Sequence, residues 1–337
     1  MSQELPLNQL RLTEDEVREA YLRLLGRPPE REGLAQQMGA LDALFSIASS
    51  AEHQNFVAAQ RAQRLEDGRF CITNADAGAF VTYRADRVIG ESLRQSGAFE
   101  ESGIDEAITL IERAGGALKR SVFVDVGANV GTHNIHALKT GFARAVCVEA
   151  DVDNFRILRV NQILNDVDER CANFLAAASE EDGEAELELS PSNFGDHRLR
   201  AVESGLSVHG EADWSTRRIR RMRLSTVLAE AKVGIDDIGL VWVDTQGHDG
   251  HVLAGAPELM ASCVPIVTEF WPYGLHRSGG FGLLQQAISG RQIVDLRQSL
   301  KQGSLCTLDS DRLVALYDEL LVGESVERSP HTDLLLL

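Results

Sequence analysis

The stretch that decides the fold is Val122-Phe-Val-Asp-Val-Gly-Ala-Asn-Val-Gly-Thr-His133. Its apolar start is typical of a buried strand, and two glycines follow before a stretch that suits a helix. Glycine lets the backbone turn tightly and approach a ligand where a β-carbon would collide. Because ligands of open α/β sheets bind at the carboxyl ends of the strands, we predict a cofactor loop here. The alternative is a plain turn between a strand and a helix.

The same kind of apolar run recurs along the chain. Most of these runs are separated by stretches that suit a helix, and they cover residues 121–126, 145–148, 173–177, 240–243, 265–268 and 291–295. Continuous apolar strands alternating with helices are typical of a parallel sheet covered on both faces. We therefore predict an α/β fold with a Rossmann-like, doubly wound, mostly parallel sheet.

Other segments set the domain organisation. Residues 1–66 carry only helical signals and predict a small helical appendage, and residues 67–337 form the main domain. The main domain opens with a predicted hairpin at 69–72 and 79–83 and a helix at 102–114, and residues 183–224 break the alternation as an insertion. The run Tyr21 to Pro28 resembles a helical module attached to glycosyltransferases, which implies an association with glycan-biosynthesis enzymes.

The charge and composition of the chain exclude some classes of binding partner. The formal net charge of -18 repels phosphate backbones, so we predict no nucleic-acid partner. No apolar run approaches the roughly 20 residues that span a bilayer, and the first residues lack the pattern of a secretion signal. The cysteines are scattered singly. We expect a cytoplasmic protein with no membrane span, and the oligomeric state stays open.

The loop chemistry favours one cofactor. A dinucleotide-binding loop has the pattern G-x-G-x-x-G and binds a pyrophosphate. This loop has the pattern G-x-x-x-G and follows the carboxylate of Asp125. That carboxylate opposes a pyrophosphate but suits the ammonium group of an amino acid, which S-adenosylmethionine carries. Glu149 ends the next strand, where an acid accepts hydrogen bonds from ribose hydroxyls. The predicted cofactor is S-adenosyl-L-methionine, and its predicted ligands are Asp125, Gly127, Asn129, Gly131 and Glu149.

From about Phe70 onward the chain resembles the FkbM family of methyltransferases. The resemblance lies in Asp125-Val-Gly-Ala-Asn129-Val-Gly131, Val148-Glu149 with Asn154 and Asn161, Asp244-Thr-Gln-Gly247-His-Asp249, and Val252-Leu-Ala-Gly255-Ala256. It implies a sheet of the class I methyltransferase type and methylation of hydroxyl groups on sugars, polyketides or similar compounds. Ala150 and Asp249 depart from the family's usual proline and glutamate, and Leu224-Ser-Thr-Val lacks its usual aspartate.

The reacting groups are expected at Trp242-Val-Asp244-Thr-Gln-Gly-His248-Asp249-Gly-His251. Removing a hydroxyl proton during methyl transfer calls for an acid or a histidine within hydrogen-bond reach, so we predict that Asp244, His248 and Asp249 face the acceptor. His251 is a further candidate base. The alternative is that Asp249 caps the next helix and His248 is merely exposed. His248 and His251, with Asp244, also resemble metal ligands, but no well-spaced third or fourth ligand follows, and we predict no metal site.

Three further segments have two interpretations each. Glu269-Phe-Trp271-Pro-Tyr273 either stacks on the acceptor or belongs to the core. Asn193-Phe-Gly-Asp-His197 either closes over the acceptor or is a surface turn. The arginines of 217–223 either grip an anionic acceptor or pair with nearby carboxylates.

The sequence therefore predicts an S-adenosylmethionine-dependent O-methyltransferase acting on a small-molecule or carbohydrate hydroxyl. Two alternatives remain, an NAD-type oxidoreductase and a non-catalytic, glycan-associated binding protein with this fold. N-methylation also stays open.

Overall fold

A computed structural model describes residues 69–116, 118–200, 207–321 and 330–337, together with Arg18 and Tyr21. The predicted appendage at 1–66, including the run from Tyr21 to Pro28, otherwise lies outside the described residues. Among the residues described, no helix combines the length and the apolarity needed to cross a bilayer.

The strands are the first layer of the architecture. In chain order they are β1 (Phe70–Asn74), β2 (Ala79–Tyr83), β3 (Val122–Val126), β4 (Arg144–Glu149), β5 (Cys171–Leu175), β6 (Ala177–Ser179), β7 (Gly183–Leu189), β8 (Arg198–Leu199), β9 (Ser215–Arg223), β10 (Ile238–Val243), β11 (Ile266–Phe270), β12 (Ile293–Asp295), β13 (Thr307–Leu308) and β14 (Thr332–Leu336).

Helices connect most of these strands. They are α1 (Ile89–Ser96), α2 (Glu101–Arg113), α3 (Thr132–Lys139), α4 (Val152–Leu164), α5 (Leu224–Glu230), α6 (Asp249–Ala254), α7 (Pro257–Met260), α8 (Pro272–Ser278), α9 (Phe281–Ala287), α10 (Leu296–Gln302) and α11 (Ser310–Leu321). Short 3₁₀ turns cover Asp168–Arg170, Glu211–Asp213 and Ile235–Asp237.

The main sheet confirms the predicted doubly wound α/β class. Within the described ranges it has eight strands in the order β13-β12-β14-β11-β10-β3-β4-β5. The strands β11, β10, β3, β4 and β5 are mutually parallel, whereas β14 is antiparallel to both of its neighbours. The chain runs outward from β3 to β5 on one side and from β10 to β11 on the other. The strand order therefore reverses between β3 and β10, which is where such sheets bind ligands.

Both faces of this sheet are buried. Along β3, Phe123 packs into the core on one face, while Val122, Val124 and Val126 pack into the core on the other. This alternation explains why the strand reads as a continuous apolar run, because neither face meets water. The rigid, doubly covered sheet fixes the positions at which β3 and β10 end.

Two smaller units complete the described structure. The hairpin of β1 and β2 is confirmed, and it packs on α4 through Asn161, whose side chain bonds both the N–H (2.7 Å) and the carbonyl (3.0 Å) of Val81. Strands β6, β9, β7 and β8 form a separate four-stranded sheet in that order. This second sheet, termed here the insertion sheet, lies beside the carboxyl ends of β4 and β5 and contributes to the site described next.

Candidate cofactor and acceptor site

The loop after β3 is built around two glycines with positive φ. Gly127 has φ 88° and Gly131 has φ 96°, a region that side chains rarely adopt. A β-carbon at Gly127 would lie 1.8 Å from the carbonyl oxygen of Asp244, and one at Gly131 would lie 2.8 Å from Leu158 Cδ1. Only glycine fits at 127, because the ends of β3 and β10 approach each other backbone to backbone.

Glu149 holds this loop in place. Its Oε2 accepts a hydrogen bond from the N–H of Asn129 at 2.8 Å, and its Oε1 accepts one from the N–H of Asp151 at 2.7 Å. Burial raises the pKa of Glu149 to about 8. Each carboxyl oxygen keeps capacity for a second hydrogen bond, which suits the ribose hydroxyls predicted from the sequence.

A small cavity of about 60 Å³ adjoins Gly127 and Glu149. Its walls are mostly apolar and include Val148, Ala150, Ala176, Ala177, Ala178 and Leu187. Small side chains at the ends of β4, β5 and β6 give the cavity an apolar wall, and Glu149 stands at its polar edge. An apolar wall suits a purine base and a carboxyl group suits ribose hydroxyls, so these residues fit the chemistry of an adenosine.

The segment 193–197 lies across this cavity. The carbonyl of Phe194 accepts hydrogen bonds from Asn129 Nδ2 at 3.2 Å and from Asn154 Nδ2 at 2.8 Å. Phe194 and Gly195 line the small cavity, and Asn193, Gly195 and Asp196 line a larger one. The segment therefore lines both cavities, and its closure over an acceptor stays a prediction.

The larger cavity, of about 530 Å³, lies between the cofactor loop, α2 and α10. Its aromatic lining comes from Phe99, His133, His209, Trp242 and Trp271, and its charged lining from Glu100, Glu106, Asp196, Asp244, Glu269, Asp333, Arg198 and Arg297. Carboxylates outnumber arginines in this set, so the cavity favours neutral polar or cationic molecules over anions.

Asp244 lines both cavities. It follows β10 directly, and its N–H donates to the carbonyl of Val126 at 2.9 Å, which locks it beside the cofactor loop. Burial raises the pKa of Asp244 to about 6, while the hydrogen bond that Gln246 Nε2 donates to Asp244 Oδ1 at 2.7 Å opposes this rise. Asp244 therefore stands where the two cavities meet, and its role toward an acceptor stays a prediction.

Glu269 is the penultimate residue of β11 and faces the larger cavity. Burial, reinforced by the charges of Asp244 and Asp249, raises its pKa well above the usual value. Glu269 Oε2 has no hydrogen-bond partner in the described part of the protein. A buried carboxyl group of this kind stays protonated more readily than Asp244 and can donate a hydrogen bond to a bound molecule.

His133 was not predicted as a site residue, because its place at the start of a helix gave no sign of where the ring would point. It is 6% exposed, lines the larger cavity, and lies 4.9 Å from the Trp242 ring between centroids. Burial lowers its pKa to about 4, so the ring is neutral at pH 7. His133 Nε2 has no hydrogen-bond partner among the residues described, which leaves it for a ligand.

Asp125 does not meet the cavities as the sequence predicted. It is fully buried on β3, and its Oδ2 accepts a hydrogen bond from Asn134 Nδ2 on α3 at 2.8 Å. Burial raises its pKa to about 7. The strand alternation turns this side chain toward α3, so Asp125 supports the loop from behind and lines neither cavity.

Asp249 and His248 also depart from their predicted place facing the acceptor. Asp249 is fully buried, accepts hydrogen bonds from Thr268 Oγ1 (3.2 Å) and from the N–H of Gly247 (3.2 Å), and lines neither cavity. His248 borders only the small cavity, where its Nε2 lies 2.8 Å from Ser179 Oγ. Burial lowers its pKa to about 3. The turn at Gly247 sends both side chains away from the larger cavity.

The arginines of β9 pair with carboxylates. Arg217 bonds Asp151 and Asp153, Arg218 bonds Glu184, Arg220 bonds Glu230, and Arg221 bonds Glu181. No residue of this strand lines the larger cavity. This arrangement agrees with paired surface charges and argues against a grip on an anionic acceptor.

A buried ionic cluster backs the aromatic wall. Arg198 bonds Asp196 (2.6 Å) and Glu211, and its guanidinium carbon lies 4.5 Å from the centroid of the Trp271 ring. Tyr273 donates its hydroxyl to Glu211 at 2.6 Å. The cluster fixes the insertion sheet against α8. It also holds the Trp271 ring in the wall of the larger cavity, so this ring belongs to the packed core and still lines the cavity.

Comparison with known proteins identifies the family. A model of the methyltransferase FkbM domain matches residues 125–301, which is more than half of the chain. The protein belongs to the FkbM methyltransferase family. S-adenosylmethionine is the cofactor of this methyltransferase family, which decides against NAD. The FkbM domain spans the cofactor loop, Glu149, Asp244 and Glu269, and the sheet is of the class I methyltransferase type.

Solved structures of other methyltransferases share part of this architecture. An O-methyltransferase from Bacillus cereus in complex with SAH is 10% identical, with a TM-score of 0.35 over 71% of this chain and 82% of that one. A SAM-dependent methyltransferase from Agrobacterium tumefaciens is 11% identical, with a TM-score of 0.36 over 81% and 71%. A geranyl diphosphate C-methyltransferase from Streptomyces coelicolor A3(2) is 11% identical, with a TM-score of 0.34 over 84% and 94%. No curated protein sequence matches the chain significantly.

Proposed function

We propose that this FkbM-family protein is an O-methyltransferase whose acceptor is a hydroxyl group of a sugar, a glycan or a similar natural product. The observation that carries the proposal is the position of Asp244, which lines both the small cavity and the larger cavity. A carboxylate at that junction is within reach of both a methyl donor and the group that receives the methyl.

Methyl transfer to a hydroxyl group requires that the donor and the acceptor be aligned and that one group accept the hydroxyl proton. When bound, S-adenosylmethionine supplies an activated methyl group. That methyl group would pass to the acceptor oxygen, and Asp244 would take the hydroxyl proton. A pKa of about 6 leaves Asp244 mostly ionised at pH 7 and close to the optimum for a general base. Gly127, Asn129 and Glu149 would hold the cofactor, while Gly131 and Asp125, which line neither cavity, would support the loop from behind.

The lining of the larger cavity supports a hydroxylated acceptor. Trp271 offers an aromatic face, and its buried Nε1 has no hydrogen-bond partner among the described residues. His133 Nε2 and Glu269 Oε2 are unpartnered in the same way, so three polar groups are left to bond a ligand. Aromatic faces combined with convergent hydrogen-bonding groups suit a polyol ring better than a purely apolar substrate.

The test begins with calorimetric titration of the protein with S-adenosylmethionine and with NAD. We expect micromolar binding of the first and none of the second. Wild type is then incubated with S-adenosylmethionine and a panel of monosaccharides, nucleotide sugars, phenols and amines, with SAH release as the readout. Methylation of hydroxyl compounds supports the proposal, methylation only of amines contradicts O-transfer, and cofactor binding without any turnover favours the non-catalytic, glycan-associated alternative.

Asp244→Asn and Glu269→Gln separate the roles of the two cavity acids. A general base contributes about 10²–10⁴-fold to the rate, so Asp244→Asn is expected to lose turnover by that factor and to keep cofactor binding. Glu269→Gln is expected to raise the KM for the acceptor more than it lowers kcat. The reverse pattern would assign the base to Glu269. The predicted link to glycan-biosynthesis enzymes rests on residues 21–28 and stays a prediction.

A further inference from the structure

A cluster of potential metal ligands lies at the edge of the small cavity, which only His248 of its three members borders. Glu180, His248 and His251 each place one potential ligand atom within 4.8 Å of the others. His251 Nδ1 lies 3.0 Å from Glu180 Oε2, and His248 Nε2 lies 3.9 Å from the same oxygen. For comparison, neighbouring ligand atoms of a tetrahedral zinc ion, with bonds of about 2.0–2.1 Å, are about 3.3 Å apart.

The fold brings these three groups together from distant parts of the chain. Glu180 follows β6 at the start of the insertion sheet, while His248 and His251 belong to the turn and first residues of α6. The two imidazole rings are stacked, with centroids 4.1 Å apart and planes within 3° of each other. Stacking presents a nitrogen of each ring to the same carboxyl oxygen.

The hydrogen bonds around His251 fix its tautomer. Its Nε2 lies 3.1 Å from the carbonyl oxygen of Ser278, which can only accept, so Nε2 carries a proton. The remaining nitrogen, Nδ1, therefore faces Glu180 Oε2, and only a proton or a cation between them makes that contact favourable. A histidine that donates its other N–H to a backbone carbonyl is the usual arrangement of a metal-ligating histidine.

The arginine near Glu180 leaves one of the two carboxylate oxygens available to a cation. Arg221 Nη1 lies 3.9 Å from Glu180 Oε1, and Arg221 Nη2 bonds Glu181. The arginine is thus turned to the outer oxygen, and the inner oxygen, Oε2, faces the histidines. Ser179 Oγ, at 2.5 Å from Oε2 and 2.8 Å from His248 Nε2, adds a hydroxyl oxygen beside the cluster.

We propose that Glu180, His248 and His251 form a site for a divalent transition-metal ion of the zinc type. Two imidazole nitrogens and one carboxylate oxygen are a common protein ligand set for Zn²⁺, and the remaining position is open to Ser179 Oγ or water. The side chains are 34%, 11% and 15% exposed in that order, so an ion can enter from solvent. The site joins the insertion sheet to α6, and its residues line no part of the larger cavity, while His248 borders the small one.

The experiment uses the full chain after dialysis against a chelator, titrated with ZnCl₂ by calorimetry and followed by thermal unfolding. We expect one bound ion per chain, a rise in Tm, and a loss of affinity of at least about tenfold in His251→Gln and in Glu180→Gln. His136→Gln is the matched control, because His136 also contacts a carboxylate, Asp105, at 3.1 Å but lies elsewhere. It is expected to bind zinc as wild type does.

The result that overturns the site is the absence of stoichiometric binding, or binding that the two cluster variants leave unchanged. Should either variant fail to fold, Co²⁺ replaces Zn²⁺ in the wild-type protein. Intense visible absorption from a tetrahedral Co²⁺ complex with nitrogen and oxygen ligands supports the cluster, and the weak spectrum of hydrated Co²⁺ rejects it. S-adenosylmethionine binding is measured on the same samples, so failure of the metal site and failure of the methyltransferase proposal are distinguished.

Discussion

The carbonyl oxygen of Asp244 lies so close to Gly127 that a β-carbon at position 127 would be 1.8 Å from it. The two residues belong to different strands, and Val126 and Val243, which precede them, are paired in the sheet. The cofactor loop and the proposed base are therefore held in one fixed relationship by backbone atoms. A change at one of them is transmitted directly to the other.

The first prediction concerns Gly127→Ala. The new methyl group forces the end of β10 away from the loop, so we expect S-adenosylmethionine affinity to fall by about 100-fold or more, which corresponds to about 3 kcal/mol. Calorimetry measures it. Gly303→Ala is the matched control, because Gly303 also has positive φ (69°) but no atom within 4 Å of its added β-carbon. The control should cost about 1 kcal/mol of stability and leave binding intact; equal affinities in the two variants would contradict the fit.

The second prediction is the pH dependence of turnover. Because Asp244 must be ionised to accept a proton, and its pKa is raised to about 6, kcat/KM should rise as pH increases through about 6 and then level off. Initial rates across a pH series in buffers of constant ionic strength measure this limb. A rate that is flat between pH 5 and pH 7.5, with S-adenosylmethionine saturating, would remove Asp244 as the base.

A third prediction follows from Gln246, whose Nε2 donates to Asp244 Oδ1. This bond stabilises the ionised form and lowers the pKa of Asp244. Gln246→Asn shortens the side chain while tolerating the positive φ (53°) of this position, so the bond is lost without backbone strain. We expect the acidic limb of the rate profile to move to higher pH. If the acidic limb of the pH–rate profile does not move in this variant, the limb reflects the ionisation of a group other than Asp244.

The fourth prediction concerns stability. Burial raises the pKa of Asp125 and Asp249 to about 7 and that of Glu149 to about 8, so the folded protein binds protons that the unfolded chain has released. The contribution of these three groups to stability is greatest below the ordinary carboxyl pKa and is lost as pH rises through the folded values. The lowered pKa values of His133 and His248 oppose this trend below about pH 6.5, because the unfolded chain binds protons there that the folded protein does not. Between pH 6.5 and pH 8 the Tm of the ligand-free protein should therefore fall by roughly 5 °C.

Asp125→Asn removes one of these titrating groups and should make the fall in Tm shallower. Asp105→Asn, which alters a side chain that is 56% exposed, serves as the control and should keep the wild-type slope. A Tm that increases from pH 6.5 to pH 8 would show that these carboxyl groups ionise at little cost in free energy in the folded state.

The fifth prediction tests the ion pair that joins α8 to the insertion sheet. Arg277 Nη2 bonds Glu188 Oε2 at 2.6 Å, and both side chains are under 10% exposed, at 8% and 6%. Arg277→Met leaves Glu188 buried and unpaired, which should cost about 3–5 kcal/mol, and a second change, Glu188→Met, should recover much of that loss. Urea unfolding measures both. Arg200→Met breaks an exposed pair with Glu186 and should have little effect.

Much of the fold could be predicted because its signals are local. The apolar runs at β3, β4 and β10 located the parallel sheet, and the glycines at 127 and 131 located a tight loop after β3, since positive φ and close backbone approach leave few other residues acceptable. The position of Asp244 at the sheet edge could also be predicted, because it directly follows a central strand, whereas its role as a base stays a prediction.

The directions of side chains and the contacts between residues far apart in the chain could not be predicted from the sequence. Asp249 was expected near the acceptor, but the turn at Gly247 points its carboxylate back to Thr268. Asp125 was expected at the cofactor, but the strand alternation buries it against Asn134. Glu180 gave no sign that it meets His248 and His251, since no short spacing connects the three. His133 was missed because its role depends on the Trp242 ring, which another strand supplies.

The position of β14 has a consequence for how the protein is made. This strand lies between β11 and β12 in the sheet, yet it comes after α11 in the chain. Until residues 332–336 have left the ribosome, the apolar strand Ile266–Phe270 lacks its antiparallel neighbour and offers an open hydrogen-bonding edge. Nascent chains paused within α9 to α11 are therefore the species most exposed to edge-to-edge aggregation and to capture by chaperones.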